Sequence, residues 1–168
     1  MGRFKSIAFP IIKIENRMFY YIFQNNKIWG YTPDLSLIGF EKVDKYFQRS
    51  VDKQEIESAY RVKETIVVYK GYKARLVKYN EESGELFVVF NSFDGKALGI
   101  TPRMDMSERP YAVYEATLLE SEVHEIYEIR VPFKEFVFES PRIVFHKRDG
   151  KWLPYHELGA LLEDDEWI

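Results

Sequence analysis

The sequence predicts a mainly β protein: two tandem small β units related by internal duplication, followed by a C-terminal hairpin and a short helix. Three observations carry that expectation. Aromatic residues make up 17% of the 168-residue chain, with 13 Phe and 12 Tyr, and such residues favour pleated, half-buried surfaces. Apolar and polar residues alternate over many short stretches, the period of a strand with one wet face. Residues 18–63 align without a gap on residues 85–130, at the offset of 67 that separates Tyr60 from Tyr127. Across that alignment Phe19–Phe23 falls on Leu86–Phe90, and Glu55-Ile56 falls on Glu122-Val123. A chain with such a period is read as copies of one supersecondary unit.

The elements follow in order. Phe4–Phe9 alternates in strand style, Ile12–Glu15 continues it, and Asn16-Arg17 turns the chain into the aromatic run Met18–Phe23. A continuous apolar run of that length reads as a strand buried on both faces. Gln24–Lys27 breaks it, and the stretch 30–40 is expected to be a long loop with one helical turn. Tyr46–Val51 reads as a third strand. Asp52-Lys53-Gln54-Glu55 has the form of a capping box, in which the Asp side chain and the Glu side chain satisfy exposed amides at a helical start. Tyr60–Lys63 then resumes alternation. A rival reading makes 41–61 one amphipathic helix, from the spacing of Val43, Phe47, Val51 and Ile56.

The second copy repeats this order. Tyr72, Ala74 and Leu76 alternate with Lys73 and Arg75, and Asn80–Gly84 turns the chain into Leu86–Phe90 as a central strand. Asp94-Gly95 is expected to start a turn, 99–109 a loop, and Ala112–Leu119 a third strand. Ser121–Glu125 matches the first copy's capping turn. Beyond it Tyr127, Ile129 and Val131 are expected to point inward, alternating with Glu128 and Arg130. After Pro132 comes a shorter piece with an Asp149-Gly150 hairpin turn and a helix at Leu158–Leu162. The expected divisions are 1–69, 70–133 and 134–168. Each copy runs hairpin, long loop, third strand, short helical turn, closing strand. That order resembles an SH3-like barrel, in which a 3₁₀ turn precedes the last strand.

Composition then excludes several functions. With net charge −3 and 30% charged residues, no global basic field recruits nucleic acid. The chain has no cysteine, so disulfides, cysteine-ligated zinc and thiol nucleophiles are ruled out. No stretch reaches the ~20 apolar residues that span a bilayer. Pro10 and Lys13 interrupt the apolar start, which makes a poor signal peptide. Met1-Gly2…Ser6 fits the loose myristoylation pattern, but reads as an ordinary start. A cytoplasmic, non-membrane protein is expected.

His124, His146 and His156 lack the spacing of a metal site, and no G-x-S-x-G elbow or glycine-rich phosphate loop occurs. No enzyme activity, cofactor or metal is therefore expected. Lys70, Lys73, Arg75 and Lys78 would suit phosphate, with Glu81, Glu82 and Glu85 close by. Tyr20, Tyr21, Trp29, Tyr31, Tyr69, Tyr72, Tyr111 and Tyr114 could supply an aromatic cage for nucleic acid or a small ligand. Most of them read as sheet-face packing.

The stretches SVDKQEIESAYRVKE and YKGYKARLVKYNEESGELFVVF resemble small bacterial proteins encoded beside polymorphic toxins, which act as immunity proteins. The shared features are the entry strand Tyr69–Tyr72, the hairpin at Gly84 and the Asp52–Ile56 turn before an aromatic strand. The second copy departs from the last, with Leu119-Glu120 in place of Asp-Lys. The resemblance implies a protein that binds and neutralises a cognate toxin, with no catalytic residues. Such proteins often block a nuclease through an acidic face. The acidic residues Glu120, Glu122, Glu125 and Glu128, with Glu163, Asp164, Asp165 and Glu166 in the tail, are the candidate contacts for a protein partner such as a basic toxin domain. The alternative function is an SH3- or Tudor-like module that binds nucleic acid or a small ligand.

Overall fold

The computed structural model describes residues 4–154. It is mainly β, with 51% strand and 14% helix, and the strand pairings are antiparallel. Among the described residues the chain divides into two compact units. The first takes residues to Lys63 together with Ile129–Ile143, and the second takes Glu64–Glu128 and Val144–Leu153. Residues 134–153 fall partly in the first unit and partly in the second.

In the first unit the strands are β1 (Ile11–Ile14), β2 (Arg17–Ile22), β3 (Lys27–Gly30), β4 (Glu41–Val43), β5 (Tyr46–Ser50) and the opening of β6 (Ser58–Tyr69). They pair in the order β4-β5-β3-β2-β1-β6. Phe4–Phe9, expected as a strand, is irregular, and the first strand starts only after Pro10. Glu15 and Asn16 take φ of 48° and 63°, the paired left-handed residues of a tight hairpin turn. Strand β2 is buried on both faces, as its apolar run predicts. Phe19 and Tyr21 enter one core cluster and Tyr20 the other, each buried side chain contributing about 1.5–3 kcal/mol.

The reading of 41–61 as a helix gives way to β4, β5 and a 3₁₀ turn at Lys53–Glu55. Asp44, at φ 54° between the two strands, adopts a conformation that a right-handed helix excludes. The capping box forms: Asp52 Oδ1 accepts from Gln54 N at 3.1 Å, and Glu55 accepts from Asp52 N at 2.8 Å. After this turn β6 pairs with β1, Ile12 opposite Ala59. Phe133 and Phe136 pack on the Tyr21 cluster, so the segment after Pro132 seals this unit's core.

The second unit holds the end of β6, then β7 (Tyr72–Asn80), β8 (Glu85–Phe90), helix α1 (Ser92–Ala97), β9 (Arg103–Asp105) and β10 (Tyr111–Leu119). The opening of β11 (Glu125–Pro132) follows, with β12 (Ile143–Arg148) from Val144 onward and β13 (Lys151–Trp152). The strands pair in the order β6-β7-β8-β10-β9, while β11 pairs with β6 and β12. The offset of 67 holds for the third strand, the 3₁₀ turn (Glu120–Glu122) and the strand after it. It fails where β3 should recur, because Asp94–Ala97 lies in α1. Asn91 Oδ1 caps that helix through Asp94 N at 2.8 Å. A Cβ on Gly95 would lie 2.4 Å from the Tyr114 ring, so glycine is what lets the helix lie on β10. Closure differs as well. Strand β6 runs straight into the Lys70-Gly71 hairpin with β7 and occupies the edge that the copy's own last strand would need.

Candidate functional site

The three central strands of the second unit have one buried and one open face. Inward point Ala74 and Tyr79 of β7, Leu86, Val88 and Phe90 of β8, and Tyr114 and Leu118 of β10, all buried. The alternation that buries this set turns Phe87 and Val89 outward, where they are half-buried. Register aligns the outward residues in rows. One row runs Arg75, Val89, Glu115, and the next runs Lys78, Phe87, Thr117. A β-bulge between Leu76 and Lys78 inserts Val77, which is 62% exposed. Bulges re-aim side chains in this way. Val77, Lys78, Phe87, Val89, Glu115 and Thr117 line a shallow groove of about 470 Å³, whose floor is apolar and whose sides are Lys78 and Glu115.

Charge is distributed unevenly across this face. Arg75 and Lys78, on β7, are exposed and make no ion pair among the described residues. Glu115, on β10, accepts from Arg103 Nε at 2.8 Å, and that carboxylate holds the guanidinium above its ordinary pKa. One side of the groove is thus cationic and the other anionic, with Val89 and Phe87 between.

Of the acidic residues singled out from the sequence, Glu120, Glu122, Glu125 and Glu128 stand in different settings. Glu120 is half-buried and braces the β7–β8 hairpin. Its carboxylate accepts from Tyr79 Oη at 2.5 Å and its N–H donates to the Gly84 carbonyl at 2.8 Å. Gly84, at φ 70°, would bring a Cβ within 3.2 Å of the Glu120 side chain, which accounts for glycine there. Glu122 is exposed, but its carboxylate accepts from Leu119 N at 3.0 Å. This is half a capping box, since Leu119 has no oxygen to complete it. Glu125 is half-buried at the start of β11.

Glu128 corrects the sequence reading outright. It is fully buried, with Oε2 3.1 Å from Nε2 of an equally buried His146. Arg130, also expected to point outward, is 4% exposed. Its guanidinium lies 4.3 Å from the Tyr60 ring centroid and donates to Ser140 Oγ at 2.8 Å. Alternation misled because β11 buries Ile126 and Tyr127 on opposite faces and seats Glu128 and Arg130 beside dedicated partners. A histidine directly after the apolar run Ile143–Phe145 is the sequence signal of a buried polar partner. Glu163, Asp164, Asp165 and Glu166, His156 and the Leu158–Leu162 helix lie outside the described residues.

Lys147 is 4% exposed. Its ammonium donates to the Glu120 carbonyl and lies 5.3 Å from the Trp152 ring centroid. Burial pushes its pKa below the ordinary lysine value, and the Glu120 charge partly offsets that.

Of the aromatic residues proposed as a cage, Tyr20, Trp29 and Tyr31 are packed together, while Tyr111 is exposed. Trp29 lies 4.7 Å from Tyr20, 5.4 Å from Tyr46, and 5.5 Å from both Phe9 and Tyr31, which is direct ring-to-ring contact. Tyr114 is buried in the second unit's core. Among the described residues no three His, Asp or Glu side chains cluster as metal ligands, and no helix is long and apolar enough to cross a membrane. No protein-family model, curated protein or solved structure matches the chain.

Proposed function

We propose that this chain is a non-catalytic, protein-binding inhibitor: a cytoplasmic immunity protein that neutralises a cognate bacterial toxin by direct contact. The observation that carries the reading is the open face of β7, β8 and β10. A solvated sheet face that holds Val77, Phe87 and Val89 around a groove, with charges at its sides, has the layout of a protein interface, apolar at its centre and polar at its rim. The sequence resemblance to immunity proteins supplies the class of partner. Contact through this face replaces contact through the acidic residues 120–128, three of which bond within their own chain.

The second reading, an SH3- or Tudor-like module for nucleic acid, draws support from exposed Lys70, Lys73, Arg75 and Lys78 on and beside β7. Lys70 and Lys73 lie over the Tyr69 and Tyr127 rings at 5.2 and 6.0 Å.

Co-expression with the C-terminal domain of any toxin that a neighbouring gene encodes separates the two. The inhibitor reading expects growth rescue and a co-purifying complex. Oligonucleotide binding that weakens steeply with salt, with no rescue, would replace it by the second.

A further inference from the structure

We propose that the free protein also self-associates through the open face of β7, β8 and β10, as a weak two-fold dimer whose axis runs parallel to β8. This rests on reading that face as a binding surface and names a second copy of the chain as one occupant.

The case is one of charge complementarity across known register. In the row Arg75–Val89–Glu115, a cation and an anion flank an apolar residue. Rotating a second copy by half a turn about an axis along β8 exchanges the β7 side for the β10 side at the same level of the sheet. Arg75 of each copy then faces Glu115 of the other, twice over. Val89 and Phe87 meet their own counterparts near the axis, and Lys78 faces Thr117. Such self-complementarity is what a two-fold interface requires. Stacked sheets lie ~10 Å apart, a gap that an arginine and a glutamate side chain together span. Arg75 makes no ion pair among the described residues. Glu115 bonds Arg103 yet keeps acceptor positions, since a carboxylate offers about four.

Area limits the strength of this contact. The strands have six to nine residues each. Three strands ~4.8 Å apart with a rise of ~3.3 Å per residue cover roughly 300–450 Å² per copy. That is about half the ~800 Å² per partner of a standard stable interface. The dimer is therefore a high-concentration species, and a toxin domain that covers more of the face displaces it.

Sedimentation velocity across micromolar to millimolar concentrations tests this. The wild-type weight-average mass is expected to rise toward the dimer, while Arg75→Glu and Glu115→Arg each remain monomeric. Mixing those two variants in equal amounts restores association. In the mixed pair the introduced glutamate of one variant meets the introduced arginine of the other, and the native Arg75 and Glu115 meet at the second contact. Val89→Asp, near the axis, is also expected to be monomeric, and it keeps the test open should Glu115→Arg loosen β9. A wild type that stays monomeric at every concentration overturns the proposal, as does association that survives both reversals or a mixture that fails to restore it. Toxin-domain binding, measured separately by calorimetry, can stand or fall without changing these results.

Discussion

Glu128 and His146 sit 3.1 Å apart, Oε2 to Nε2, with both side chains wholly out of solvent. Removing one partner of a buried pair of this kind costs about 3–5 kcal/mol. Glu128→Leu is expected to lose that much in urea unfolding. Exposed Glu122→Arg, which gives up only the half capping box, is expected to lose about 1 kcal/mol. Equal losses would mean that Glu128 is not the buried anchor of β11.

The two 3₁₀ turns offer a matched comparison. Asp52 and Leu119 both occupy the N-cap in extended conformation, at φ −85°, but only Asp52 supplies a capping oxygen. Leu119→Thr restores the missing half and keeps a β-favouring residue at the end of β10. It is expected to stabilise the protein by about 0.5–1 kcal/mol, a rise of about 2 °C in Tm. Asp52→Ala should lose about 1 kcal/mol by the same reasoning. Thermal unfolding of the two variants checks both.

Gly95→Ala places a methyl group 2.4 Å from the Tyr114 ring, where backbone and ring must move apart. Overpacking of this kind costs about 1–3 kcal/mol. The loss should appear in chemical denaturation, along with faster amide exchange in Ser92–Ala97. Unchanged stability would show that α1 does not lie on Tyr114 as described.

The pH dependence of Lys147 has a definite sign. Its folded pKa lies below the unfolded value of 10.5, so the buried ammonium destabilises the fold at neutral pH. As pH rises from the lowered folded value toward 10.5, the unfolded chain binds more protons than the folded one, and stability rises. Lys147→Met keeps the stem over Trp152 and removes the charge. The free-energy difference, variant minus wild type, is expected to decline across that window. A difference independent of pH would contradict burial as the cause.

Much of the framework is legible in the sequence where local chemistry and packing agree. The Met18–Phe23 run marks a strand buried on both faces, the Asp149-Gly150 hairpin lies at φ 52° and 75°, and Asp52–Glu55 caps its turn. What the sequence conceals depends on partners distant in the chain. Gly95 resembles a turn residue until Tyr114 is seen lying over it, and Asp44 adopts a left-handed conformation without the glycine that usually signals one. Glu128 and Arg130 belong to the surface on period alone, whereas in the fold they are buried beside His146, Ser140 and Tyr60. The open face is hidden for a similar reason. Phe87 and Val89 belong to an apolar run, and only their pairing with β7 and β10 shows which side stays wet.

Calorimetric titration of the partner that the proposed function implies, a cognate toxin domain, into wild type, Val89→Asp and Glu122→Arg tests the binding face most directly. Val89→Asp puts a charge at the centre of the groove and is expected to weaken binding at least tenfold, about 1.4 kcal/mol. Glu122→Arg should bind as the wild type does. Undiminished binding by Val89→Asp, with loss in Glu122→Arg, would return the interface to the acidic turn and contradict the assignment made from β7, β8 and β10.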